Sequence, residues 1–271
     1  MTTHDTAPPA ILADLERYYD TAPRATCDTE ELGSLTLFVA RSGFPYYARP
    51  RLGVANEITA DDVTAVLERQ RELDVPQAVE WVHDTTPSLL PAARSAGMTV
   101  EECPLLVLAQ DPFEPDPAAG VRVVAADDPQ LGLVRAAINV GFGNAGTSVG
   151  EASVAERDAE AAARPESAER IAELITAGLS VLAGAFHPQA GPVGGGNHNP
   201  RGDVTELVGV GVLPAYRRRG LAAAITARLA RHAMDHGVET VFCSAHDDAV
   251  ARVYESVGFR RVGTACIAEA G

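Results

Sequence analysis

Three consecutive arginines followed by residues with very small side chains occupy positions 217–222, Arg-Arg-Arg-Gly-Leu-Ala. The β-branched run 204–213 precedes them and closes at Pro214, which cannot donate to a sheet ladder, so the run predicts a buried strand. Apolar residues then recur at every fourth position from 221 to 229, which predicts an amphipathic helix. The arginines therefore lie at a helix N-terminus, where unpaired N–H groups and a partial positive charge favour phosphate.

The pattern Arg217-x-x-Gly220-x-Ala222 would let a ligand approach the backbone closely, because Gly220 and Ala222 present almost no side chain. Placed after a strand that ends in Val-Leu-Pro, this pattern resembles the acyl-CoA pyrophosphate loop of the GNAT superfamily of N-acyltransferases. The resemblance implies acetyl-CoA as cosubstrate. It implies that the following residues bind it: Val210, Gly211, Val212, Arg217, Arg218, Arg219, Gly220, Leu221 and Ala222.

A second stretch, Ala-Arg-Val-Tyr-Glu-Ser-Val-Gly-Phe at 251–259, resembles another signature of the superfamily, in which a tyrosine lies four residues before a Gly-Phe pair. That tyrosine is Tyr254. The asparagine that is common seven residues before it is replaced here by Asp247. The resemblance covers residues 119–271 and implies the GNAT fold, a mixed α/β (α+β) sheet.

Periodicity along residues 121–268 gives the order of elements that a GNAT domain has. A strand at 121–125 is followed by helical patterns and then by a strand at 180–186. Residues 192–195 read as a weaker strand, and the glycine-rich stretch 194–202 as a flexible hairpin loop before the strand that begins at 204.

The tract 111–120 carries three prolines among acidic and small residues, which is typical of an extended connector. We place a domain boundary there, between a lobe at 1–110 and a catalytic domain at 119–271. Short segments of the first half faintly repeat the second, so the sequence favours a tandem arrangement. Because Ala93 stands where Tyr254 stands and Pro50 takes the arginine position, the first lobe is predicted to be degenerate and unable to bind cofactor.

Acetyl transfer to an amine needs a base, donors that polarise the thioester oxygen, and an acid for the leaving thiolate. Glu206 opens the strand that leads to the basic loop, and simple alternation places it on one face with Val208, Val210 and Val212. We take Glu206 as the candidate base and Tyr254 as the candidate acid, with the backbone of 210–212 as the donors. The alternative for Glu206 is an acid at the solvent end of a strand.

Two other classes of function remain open beside the acetyltransferase. One is a catalytically inactive CoA-binding or scaffolding protein. The other is an NAD-dependent oxidoreductase built on Gly-Phe-Gly-Asn-Ala-Gly at 141–146, but the segment before this motif has helical rather than strand spacing. His232 and His236 lie four residues apart in a last helical turn, where solvated surface histidines are favoured over a metal pair, and no metal is expected.

The composition limits the kinds of partner that we expect. A net charge of −15 with a pI near 4.8 opposes binding to nucleic acid or to an anionic membrane and favours an amine-bearing acceptor. No apolar run approaches the roughly twenty residues that span a bilayer, and no secretory signal is readable, so the expected location is cytoplasmic. The oligomeric state is left open, with a homodimer as one option.

Overall fold

The computed structural model describes residues 9–41, 46–54 and 56–271. The chain divides into two compact units, Met1–Leu105 together with Arg261–Gly271, and Leu106–Arg260. The last eleven residues are thus grouped with the N-terminal unit. The sequence-based division into 1–110 and 119–271 stays a prediction.

The helices are α1 (Pro9–Arg24), α2 (Ala60–Glu72), α3 (Leu89–Ser95), α4 (Leu131–Phe142), α5 (Val154–Ala163), α6 (Glu166–Thr176), α7 (Leu221–Asp235) and α8 (Asp248–Glu255). The strands are β1 (Cys27–Leu32), β2 (Leu35–Ala40), β3 (Arg49–Pro50), β4 (Ala78–Val82), β5 (Met98–Leu108), β6 (Val121–Val124), β7 (Val181–His187), β8 (Gly191–Arg201), β9 (Val204–Val212), β10 (Thr240–Ser244) and β11 (Phe259–Ala270). Within the described residues, no helix is long and apolar enough to cross a membrane.

The first unit contains a small sheet, ordered β1-β2-β3, and the strands β4 and β5 with β11 between them. β11 pairs antiparallel with β4, and Cys266 lies opposite Trp81. α2 begins at a capping box, in which the Asp62 amide donates to Thr59 Oγ1 at 3.3 Å and the Thr59 amide donates to Asp62 Oδ2 at 2.8 Å. This reciprocal pair satisfies two amides that a helix start would leave without partners.

The second unit is built on the strand order β10-β9-β8-β7-β6. β6 to β9 pair antiparallel in sequence, and β9 pairs parallel with β10. α4 and α7 lie on opposite faces: a Cβ on Gly195 would lie 2.8 Å from Val134 of α4, whereas one on the next residue, Gly196, would lie 3.3 Å from Ile225 of α7. The sheet is therefore covered on both sides.

The prediction of a flexible loop at 194–202 is wrong. Residues 191–201 form the long strand β8, and its residues 192–198 are buried. Its glycines are needed because both covering helices come close to this strand. A side chain at Gly195 would collide with Val134 and with the Ala183 carbonyl, so the glycines report close packing here rather than a turn.

Candidate active site

β9 and β10 are neighbours in the second unit, but they pair over only part of their length. Their parallel pairing runs from Val204 with Thr240 to Glu206 with Phe242. β9 nevertheless continues to Val212, and β10 continues to Ser244. Beyond Glu206, the two strands therefore border an opening in which an extended ligand could lie against strand backbone.

A β-bulge interrupts β9 beside this opening. Asn197 of β8 pairs with Val208, but Gly195 pairs with Gly211, so β9 contains one extra residue. Gly209 takes a left-handed φ of +67° at this point, a conformation that favours glycine. A bulge takes backbone groups out of the regular ladder, which leaves them free to meet a ligand.

The bulge also corrects the predicted face of Glu206. Glu206 and Val208 pair with Asn199 and Asn197 of the regular strand β8, on the face that α4 covers. Because of the extra residue, Val210 turns to the opposite face, where it meets the α7 side at Gly196. Simple alternation had placed Glu206 with Val210 and Val212; it shares its face with Val208 but with neither of those two.

Sequence reasoning missed two polar residues on this face, Asn197 and Asn199, because it placed them in a loop. Asn197 is buried, its Nδ2 donates to the buried Ser180 Oγ at 3.0 Å, and its Oδ1 faces Gly209 at the bulge. Asn199 lies directly opposite the half-buried Glu206. The sequence did contain a signal for them: two asparagines at alternate positions, shortly before the strand that carries the candidate base.

The basic loop lies at the far end of β9, as predicted. A 3₁₀ turn at Pro214–Tyr216 leads into it, and α7 begins after Gly220, whose φ is +74°. The first hydrogen bond of the helix runs from the Ala224 amide to the Gly220 carbonyl, at 3.0 Å. The amides of the first turn precede it and have no acceptor within the helix. A Cβ on Gly220 would meet open space. This is a helix N-terminus accessible to an anion.

The three arginines of the loop differ in their surroundings. Arg218 and Arg219 are exposed, and the Arg219 guanidinium lies 5.0 Å from the centre of the Tyr216 ring. Arg217 is turned inward and donates to four carbonyl oxygens, those of Gly141, Asn144, Ser148 and Val212. Burial lowers the pKa of Arg217. The side chains that face solvent beside the start of α7 are therefore Arg218 and Arg219.

Tyr254 of α8 is buried near the opening. Burial raises the pKa of Tyr254, and the neighbouring Cys243 thiol and Glu206 carboxylate raise it further. Burial likewise raises the pKa of Cys243, with a second contribution from Glu206. The two predicted catalytic residues, Glu206 and Tyr254, are thus near enough to influence each other. Asp247 caps α8, because its Oδ1 accepts the Val250 amide at 2.8 Å.

A histidine cluster lies on the α7 face. His198 is buried in β8, and its Nδ1 is 3.0 Å from Thr205 Oγ1 while its Nε2 is 3.0 Å from His232 Nδ1. The expectation of solvated histidines is right for His236, which is exposed, and wrong for His232, which is half-buried and bonded to His198. In the described part of the chain, no group of three or more His, Cys, Asp or Glu side chains is arranged to hold a metal ion.

Gly141, the first glycine of the dinucleotide-like motif, has a packing role. It lies in α4, and a Cβ on it would come 2.8 Å from the Val212 nitrogen and 3.1 Å from Gly211. A strand before the motif would be required for dinucleotide binding, but α4 itself precedes it. The glycine allows the C-terminal end of α4 to touch the backbone of β9.

Together, the open pair of strands, the bulge and the accessible helix start belong to the mixed α/β fold of the GNAT class, as the sequence predicted. Residues 152–259 form a domain that matches the acetyltransferase (GNAT) family, and the N-terminal region lies outside this match. A search of curated proteins gave no significant match.

Solved structures show the same fold over nearly the whole length of the chain. A GCN5-related N-acetyltransferase from Kribbella flavida superposes with a TM-score of 0.68 at 21% identity, over 96% of both chains. A tandem GNAT protein from the clavulanic acid biosynthesis pathway gives a TM-score of 0.53 at 15% identity, over 98% of this chain and 97% of that one. A putative acetyltransferase of the GNAT family from Novosphingobium aromaticivorans gives 0.54 at 17% identity, over 92% and 93%.

Proposed function

We propose that this protein is an N-acetyltransferase that transfers the acetyl group of acetyl-CoA to a primary amine of a small molecule or peptide. The observation that carries the proposal is the opening between β9 and β10 beyond Glu206, with the bulge at Gly209 on one side and the start of α7 at its end. The residues present suit acetyl-CoA, because an open helix start flanked by exposed arginines favours a pyrophosphate.

The amine attacks the thioester carbonyl carbon directly in a ternary complex. A nitrogen–carbon bond forms, the carbon–sulfur bond breaks, and the electron pair leaves on the CoA sulfur. Backbone amides of residues 210–212, beside the bulge, polarise the carbonyl oxygen. Most of the amine is protonated at neutral pH, so Glu206 takes one proton from it, directly or through water.

Tyr254 assists the departing sulfur. A phenol with a reference pKa of about 10 is already a weaker acid than a thiol of about 8.5, so full proton transfer to the thiolate costs at least about 2 kcal/mol. The raised pKa of Tyr254 increases this cost and keeps the hydroxyl protonated. Its contribution is therefore a hydrogen bond to the developing thiolate, and the second proton, which the attacking nitrogen loses as the amide forms, reaches the sulfur to give free CoA.

A screen of amines against acetyl-CoA, followed through release of the free thiol, tests the proposal. We expect turnover with at least one small amine or peptide and little without an acceptor. Tight binding of CoA with no turnover on any amine would instead support a catalytically inactive CoA-binding or scaffolding protein, and binding of NAD would support the oxidoreductase reading.

A further inference from the structure

The inward-facing side chain of Arg217 ties together three parts of the second unit. Its Nε donates to the Val212 carbonyl at the end of β9 at 3.2 Å. One terminal nitrogen donates to Gly141 at 2.9 Å and to Asn144 at 2.6 Å, both at the C-terminal end of α4. The other nitrogen reaches the Ser148 carbonyl at 3.4 Å, in the segment between α4 and α5.

Backbone bonds hold the same segment from the other side. The Gly150 amide donates to the Pro214 carbonyl at 3.2 Å, and the Ala215 amide donates to the Ala152 carbonyl at 3.0 Å. Gly150 fits closely here, since a Cβ on it would lie 3.0 Å from Pro214. The segment 143–152 is thus fastened to the 3₁₀ turn that leads into the basic loop.

The chemistry of these contacts differs from that of a phosphate ligand. A guanidinium has five N–H donors in a planar fork, and the fork of Arg217 meets neutral carbonyl oxygens from several directions. Arg218 and Arg219 are exposed and keep their charge available to solvent at the helix start.

We infer that Arg217 is a positioning residue and does not bind the pyrophosphate. It holds the segment 143–152 against the end of β9, as a fixed wall of the opening between β9 and β10. The inference rests on the proposed function in one respect, namely that this opening takes acyl-CoA. The wall begins two residues after Gly141, which lies against the backbone of Gly211 and Val212, so it starts beside the end of β9. It therefore bounds the place where the acceptor must reach the thioester.

Amide hydrogen exchange in the free protein tests the clamp without any ligand. In Arg217→Ala, we expect exchange across 143–152 to be at least tenfold faster than in the wild type, with exchange in β7 unchanged. Arg217→Lys should behave in the same way, because one ammonium cannot replace the fork, and it serves if the alanine variant fails to fold. Arg219→Ala is the matched control and should leave exchange in the segment unchanged.

Calorimetry with CoA at several salt concentrations tests the second half of the inference. Loss of a phosphate contact weakens the dependence of affinity on salt, because screening acts on the charges that meet the ligand. We expect this dependence to fall in Arg219→Ala and to stay at the wild-type value in Arg217→Ala, while the KM of Arg217→Ala for the acceptor amine rises about tenfold.

Unchanged exchange in both Arg217 variants would overturn the clamp. A weaker salt dependence in Arg217→Ala would restore this residue as a phosphate ligand. If the wild type bound no CoA at all, the proposed function would fail, and the exchange measurement alone would still decide whether Arg217 fastens the segment.

Discussion

Glu206 and Asn199 lie directly opposite each other on the antiparallel strands β9 and β8, at the position where β9 begins to separate from β10. This pairing places a carboxylate beside a neutral amide at the edge where the opening begins. A carboxylate can accept a proton, whereas an amide can only hydrogen-bond, so the two groups would treat an amine differently.

Glu206→Gln should lower kcat/KM by about a hundredfold near neutral pH, because the amide keeps the shape but cannot accept a proton. The loss should shrink as rising pH deprotonates the amine unaided. A pH–rate profile with the amine found in the screen measures both effects. Asp203→Asn, in the exposed turn just before the same strand, should follow the wild-type profile; if Glu206→Gln follows it too, the base lies elsewhere.

Tyr254→Phe should reduce kcat by about tenfold and leave the affinity for CoA unchanged, because the phenyl ring keeps the packing against Phe259 and only the hydroxyl is lost. Steady-state kinetics with calorimetry on the same preparation separates the two effects. Full turnover would remove Tyr254 from the reaction.

Gly220→Glu should abolish CoA binding, because its side chain would extend into the open space beside the start of α7 and bring a negative charge to the anion site. Gly220→Gln matches it in size and in backbone strain at φ +74°. Calorimetry should therefore show weakened binding for the glutamine variant and none for the glutamate variant. Equal affinity in both would mean that size or strain, not charge, disturbs the site.

One chain should bind one equivalent of CoA. In the first unit, Pro50 lies in the short strand β3 and Ala93 is fully buried in α3, so neither of these positions offers a basic loop or a hydroxyl. Calorimetry should give a stoichiometry near one, falling to zero in Gly220→Glu. A second equivalent, or one that survives this substitution, would place a cofactor site in the first unit.

His198 should make the fold sensitive to acid. Burial, with His232 and His236 nearby, lowers the pKa of His198 to about 3, whereas an unfolded histidine titrates near about 6.5. The unfolded chain therefore binds more protons below this value, so the contribution to stability is complete above about pH 6.5 and is lost progressively as the pH falls toward 3.

Urea unfolding at about pH 7.5 and about pH 5.0 measures this contribution. Of the free energy of unfolding that the wild type loses between these two pH values, His198 should account for about 2 kcal/mol. His198→Gln should lose less stability over that interval than the wild type does. His246→Gln, which alters an exposed histidine, should match the wild type. Identical losses in all three proteins would show that His198 titrates normally.

The sequence predicted the basic loop well because its signals are local. Pro214 ends a strand, Gly220 suits a left-handed helix start, and the apolar spacing after it fits one helix face. The glycines of β8 led to a wrong prediction because glycine occurs both in turns and where elements pack closely. Which of the two applies here depends on α4 and α7, which lie more than fifty residues before and about twenty-five residues after these glycines in the sequence. Only the folded structure contains that information.

The face of Glu206 was mistaken for a related reason. Alternation along a strand holds until a bulge adds a residue, and Gly209 could not be told from an ordinary strand glycine without its partner strand. His198 and Asn199 were overlooked because they fell in the supposed loop. The inward turn of Arg217 depends on carbonyl groups up to 76 residues distant in sequence, which no pattern around Arg217 reveals.

The place of β11 between β4 and β5 bears on how the chain is made. When the ribosome has released residues 1–105, the strands β4 and β5 still lack the partner that comes to lie between them, because residues 261–271 are synthesised only after residues 106–260. Until then, both strands expose backbone groups that could pair with another nascent chain. The first unit is therefore completed only after the second has been synthesised, and its unpaired strands stay open to aggregation while residues 106–260 are made.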